Sequence, residues 1–185
     1  MTPVTLTEEE RGTLLALARS AIADRLKPPH DRPEVAHSAG LSIQSGAFVT
    51  LNKRGRLRGC IGRFTADTPI TQTVEDMALA AAFEDPRFPP LQPDELKDVD
   101  LEISVLTPMR RITQVGDIEV GKHGIYMIRG FQRGVLLPQV ATEQGWDRTT
   151  FLNHTCLKAG MESNCWRNPE TEIYVFSAEI FGEKE

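Results

Sequence analysis

Cysteine, arginine and glycine meet within six residues at Leu57-Arg58-Gly59-Cys60-Ile61-Gly62. The thiolate of a cysteine is a nucleophile, and Arg58 and Arg63 favour that form wherever they lie near the sulfur. A strand normally avoids glycine, which weakens packing and costs backbone entropy. Gly59 and Gly62 around one cysteine therefore imply a bulge, a bend, or close approach by another backbone or a ligand. Two readings stand side by side. One is a reactive thiol or an anion-binding turn; the other is a buried cysteine acting as a small hydrophobe at a sheet bend.

A nucleophilic cysteine wants a histidine base within hydrogen-bond reach. The chain offers His30, His37, His123 and His154. His30 and His37 fall in a polar stretch and read as solvated surface. His123 lies in a turn between two glycines, and His154 in a helix; either is equally readable as structural. There is no C-x-x-C, no H-E-x-x-H and no carboxylate cluster at ligand spacing, so no metal site is assigned. The glycines match neither a Walker loop nor a dinucleotide fingerprint, and no cofactor is named by the sequence. Arg87, in Asp85-Pro86-Arg87-Phe88, stands on backbone stiffened by prolines, where its guanidinium suits a carboxylate or phosphate; it is also placed to pair with Asp85. Gln139 and Trp146 bring an amide and an indole to the mouth of a helix, whose N-terminus attracts anions.

These residues need elements to position them. Thr7-Glu8-Glu9-Glu10 is a capping box, and Leu14, Leu15, Ala18, Ala21, Ile22 and Leu26 recur at helical spacing until Lys27-Pro28-Pro29. A long polar loop follows over 28–45. Ala47 to Leu51 and Arg56 to Phe64 read as a β-hairpin turned at Asn52-Lys53-Arg54-Gly55. Thr68-Pro69 opens a second helix that Asp85-Pro86 ends, with a short helical turn near Asp94 to Leu96. Val99 to Val105 alternates as a strand. Ile125 to Arg129 and Val135 to Leu137 are strands joined by a turn at Gly130 to Gly134. Asp147 caps a third helix, Arg148 to Ala159, which Gly160 closes. Glu172 to Ile180 reads as one last strand inside a sheet. Strands outnumber helices and no βαβ rhythm persists, so the fold class is α+β, mainly antiparallel, with about three main helices packed on the sheet.

Composition narrows the classes. At 185 residues the chain suits one domain or two closely packed subdomains, and 40% apolar with 25% charged residues is ordinary globular composition. With 21 basic and 26 acidic residues the net charge is −5, so no global positive field recruits nucleic acid. Arg54, Arg56, Arg58 and Arg63 do crowd together locally. No run approaches the roughly 20 apolar residues of a membrane span. Three cysteines, Cys60, Cys156 and Cys165, are too few and irregular for a disulfide framework, which suggests free thiols and a cytoplasmic location.

Leu57 to Gly62 (LRGCIG), Asp85-Pro86-Arg87-Phe88, Gly121-Lys122-His123-Gly124, Leu136 to Ala141, Gly145-Trp146-Asp147 and Thr150-Phe151-Leu152 occur in this order in the AMMECR domain family. The chain resembles that family, whose prokaryotic members are called AmmeMemoRadiSam system protein A, over nearly its whole length. The resemblance implies a single AMMECR-type domain over 1–185, with a larger and a smaller subdomain around a curved sheet. It makes LRGCIG the suspected active or binding region, and it suggests a pathway shared with a Memo-type protein and a radical SAM enzyme. It brings no established reaction or substrate.

Three functions follow as expectations. In the first, Cys60 is nucleophile or redox thiol and His154 or His123 the acid/base. Arg58, Gly59, Gly62, Arg87, Gln139 and Trp146 would then bind a small anionic ligand. In the second, the protein is a non-catalytic module that holds a ligand or docks on a partner. Nucleic-acid binding is the weakest, because the chain is acidic and its sequence has no basic face interleaved with aromatic residues.

Overall fold

The computed structural model describes residues 5–27 and 32–184. The expected helix stop at Pro28-Pro29 and the reading of His30 lie outside them. In chain order the elements are α1 (Glu8–Leu26), β1 (Ala47–Lys53), β2 (Arg56–Arg63), α2 (Ile70–Phe83), β3 (Val99–Leu106), β4 (Arg110–Ile112), β5 (Gly124–Arg129), β6 (Gln132–Leu136), α3 (Pro138–Glu143), α4 (Arg148–Lys158), β7 (Glu172–Phe176) and β8 (Ala178–Gly182). The class is α+β, as expected, but the strands form two four-stranded sheets, ordered β2-β1-β3-β8 and β4-β7-β5-β6. Two compact units result: one of residues up to Leu106 together with Glu179 onward, and one of Thr107–Ala178.

In the first unit, the capping box starts α1: Thr7 Oγ1 accepts from Glu10 N, and the Glu10 carboxylate accepts from Thr7 N. β1 pairs antiparallel with β2 on one side and β3 on the other. The β1–β2 turn is only two residues long, Arg54 and Gly55, both at positive φ. That is the type I′ geometry whose twist matches the strands. One face of this sheet, with Val49, Leu51, Leu101 and Ile103, is buried with Leu14 and Ile22 of α1 and Val74 and Ala78 of α2. The short turn expected near Asp94 is a 3-10 turn at Leu96–Asp98.

In the second unit, β7 and β5 are the inner strands, and all three pairings of the sheet are antiparallel. Phe151, Leu152 and Cys156 of α4 form a core with Ile125, Met127, Ile173 and Val175. Asp147 caps α4 by accepting from Thr150 N, and Gly160 at φ +73° turns the chain out of it. The backbone comes so close at Gly134 that a Cβ there would lie 2.4 Å from Ala159 N.

Three expectations need correction. Pro138 to Ala141, expected as a loop before the third helix, instead begin α3, whose six residues are too few to display a helical period. The single strand Glu172 to Ile180 is two: β7 and β8 belong to different sheets, and the break falls at Ser177, which exchanges hydrogen bonds with Thr107. The cysteines are not all free. Cys156 and Cys165 form a disulfide, their Cα atoms 5.7 Å apart, because the turn at Gly160 brings the chain back beside α4. Cys60 alone remains a thiol. Among the described residues no helix is long and apolar enough to cross a membrane.

Candidate functional site

The LRGCIG segment forms most of β2. Its register against β1 slips between Leu51 and Asn52: Gly59 pairs Leu51 while Leu57 pairs Asn52. Arg58 is therefore the extra residue of a β-bulge, a device that re-aims a side chain. Its guanidinium is taken by Glu95, with Nε 3.1 Å from Oε1 and Nη2 2.9 Å from Oε2. Lys53 Nζ and Gln92 N donate to the same carboxylate at 2.7 and 3.0 Å. The pair is largely buried, and these donors, led by Arg58, hold the Glu95 carboxyl down at about 2.

The two glycines have separate packing reasons. A Cβ on Gly59 would lie 2.2 Å from the carbonyl oxygen of Ala81 in α2, and one on Gly62 would lie 2.3 Å from the Phe48 ring. Of the alternatives open from sequence, close approach by protein neighbours accounts for both.

Cys60 faces Thr50 across the β1–β2 pair, and Thr50 Oγ1 lies 3.2 Å from its sulfur. Cys60 as a residue is half-buried. Its main chain is gripped by the loop that follows α2. Asp85, itself buried, accepts from Cys60 N at 2.9 Å, and Arg87 Nη2 donates to Cys60 O at 3.3 Å. Arg87 also closes on Asp85 through its backbone N, Nε and Nη2, at 3.0, 3.0 and 2.7 Å. These bonds, chiefly the guanidinium's, hold the Asp85 carboxyl well below the usual carboxylate range. The Arg87 guanidinium is shifted up by its hydrogen bonds to Asp85. Phe88 lies beneath both arginines, its ring centre 5.9 Å from the Arg58 guanidinium and 5.5 Å from that of Arg87.

Arg87 is half exposed, and its Nη1 has no partner among the described residues. Arg58 is neutralised and enclosed; Arg87 is neutralised yet open to solvent. That difference separates a scaffold arginine from one that can still meet a ligand.

The remaining candidates lie in the second unit. His123 is buried, accepts from Glu119 N at its Nδ1, and has its pKa lowered chiefly by burial. His154 stacks flat on Trp146, with ring centres 4.0 Å apart and planes 5° from parallel. Gln139 lies on α3 with its side-chain oxygen buried and unpaired among the described residues. The structure thus gathers Arg58, Gly59, Cys60, Gly62 and Arg87 in one unit and joins Trp146 to His154 in the other. Among the described residues no three His, Cys, Asp or Glu side chains gather to hold a metal ion. No sequence motif marks Glu95, Lys53 or Thr50 as part of the site. Thr50 follows from the hairpin register, but nothing local joins Glu95 to Arg58.

The AMMECR1 family model matches residues 15–181, which include both units' candidate residues. The chain belongs to the AMMECR1 family. A Methanothermobacter thermautotrophicus protein is 44% identical over 96% of both chains. A Methanopyrus kandleri protein is 43% identical, covering 97% of this chain and 91% of its own. Among solved structures, uncharacterized protein PH0010 from Pyrococcus horikoshii superposes with a TM-score of 0.76 at 39% identity, over 92% of this chain and 90% of that one. The AMMECR1 match thus agrees with the resemblance carried by the six motifs.

Proposed function

We propose that the LRGCIG strand is a binding platform for a small anionic ligand, with Arg87 and Cys60 as the contacts presented to it. The observation that carries this reading is the grip on Cys60. Asp85 and Arg87 hold its N–H and C=O, while Cys60 is only half-buried and the Arg87 side chain stays exposed. A pre-organised site of this kind loses little entropy on binding. Arg58, Gly59 and Gly62 then serve to shape the strand. Family resemblance supports a place beside Memo-type and radical SAM proteins.

Titration of the full chain with inorganic phosphate, followed by amide NMR shifts, tests the platform. Shifts are expected at Cys60, Gly62 and Arg87; Arg87→Ala should abolish them and Cys60→Ala should weaken the binding they report. Unchanged spectra at saturating phosphate would remove the reading. Cysteine-dependent catalysis is the second reading, favoured by the one free thiol among the described residues. It requires Cys60 of the folded chain to be alkylated by iodoacetamide at a pH well below the ordinary thiol pKa of about 8.5; a Cys60 that reacts only after unfolding rules it out.

A further inference from the structure

The second unit's sheet has two faces of different chemistry. One is closed by α4 over Ile125, Met127, Ile173 and Val175. Strand alternation sends the intervening residues to the other face. The register there sets Arg111, Tyr174, Tyr126 and Val135 in one row across all four strands. Arg133 follows on β6 opposite Ile128. The two tyrosines are direct cross-strand neighbours, with ring centres 5.9 Å apart. Both are half-buried, and Ile128 and Val135 beside them pack against neither core. Where the β5–β6 turn ends this face, Phe131 is 98% exposed.

The charges favour one kind of occupant. Arg111 and Arg133 are exposed on the two outer strands, with the tyrosines between them. The carboxylate of this face, Glu172, is already engaged, accepting from Tyr174 OH at 2.6 Å and pairing Arg111 at 3.8 Å. The unit holds eight basic and seven acidic residues, against 13 and 19 in the rest of the chain. Aromatic rings on inner strands with cations outside them suit unpaired bases, since every base offers a π-face and every nucleotide a phosphate. An acidic peptide would meet the arginines but leave the tyrosine row without a stacking partner.

We propose that this face binds single-stranded nucleic acid, with Tyr174 and Tyr126 stacking bases and Arg111 and Arg133 holding phosphates. The site is independent of the Cys60 platform. Its aromatic and basic residues come from four strands dispersed between positions 110 and 176. No contiguous stretch of sequence displays them together, which is why composition ranked nucleic acid last.

Fluorescence anisotropy of the full chain with labelled eight-nucleotide oligouridylate and oligothymidylate tests this. Both should bind more weakly as salt rises, and the stronger arm identifies RNA or DNA. Tyr126→Leu and Tyr174→Leu, which keep apolar bulk, should each weaken binding about tenfold. Arg133→Gln should weaken it and flatten the salt dependence, with circular dichroism unchanged throughout. Arg54→Gln with Arg56→Gln, in the other unit, should change nothing. Absence of binding at low salt overturns the proposal. So does binding that the tyrosine variants retain, or binding that polyglutamate displaces equally from parent and tyrosine variants.

Discussion

Two carboxylates, Asp85 and Glu95, each collect four donors around the same strand. Both have folded-state pKa values below their ordinary ones, so each stabilises the fold above the unfolded value, and that contribution fades as pH falls toward the folded one. For Glu95 the window runs from the ordinary 4.5 down to about 2. Glu95→Gln should cost about 2–4 kcal/mol at pH 7, since it strands the buried Arg58 guanidinium. The deficit should shrink as pH falls through that window, as urea unfolding at several pH values would show. Parallel loss of stability in parent and variant would contradict the assignment. Asp85 and Arg87 are two residues apart, so their pairing could be weighed from sequence. Glu95 and Arg58 are 37 apart, and no periodicity or motif links an acid in a short turn to an arginine in a bulge.

Helices and strands were legible where a local signal marks their ends. The capping box of α1, the Gly55 turn and the Asp147 cap are such signals, and each appears in the fold. The three-residue β4 and six-residue α3 are too short to show a period. β7 and β8 were fused because apolar residues continue through Ser177, and alternation does not say which sheet a strand joins. The glycines of β2 were legible as anomalies, but their cause required the neighbouring helix. Gly59→Ala should destabilise by about 2 kcal/mol or more, since helix backbone cannot yield to the new methyl. Gly12, inside α1, is its control, because a methyl added there would meet nothing within 4 Å. Gly12→Ala should stabilise by about 0.5–1 kcal/mol. Thermal melts of the pair would check both signs.

At the scale of the whole molecule, the class was legible because strands outnumber helices without a βαβ rhythm, and the family because six motifs lie in order along the chain; the division into two sheets was not. The disulfide was missed because an odd cysteine count argued against pairing, yet only Cys156 and Cys165 are brought together. Both tryptophans, Trp146 and Trp166, lie in the same unit as the disulfide. Cys156→Ala with Cys165→Ala should therefore lower the unfolding free energy read by tryptophan fluorescence by about 2–3 kcal/mol, as expected for a short closed loop. An unchanged midpoint would show that the crosslink adds no stability.

The grip of Asp85 and Arg87 on Cys60 has a consequence for self-association. β2 is the terminal strand of its sheet, where an uncovered ladder of N–H and C=O groups would template a further strand from another molecule. At Cys60 one acid and one arginine already occupy both groups. The loop that shapes the candidate site therefore also bars strand addition there, and with it one route to polymerisation into cross-β fibres.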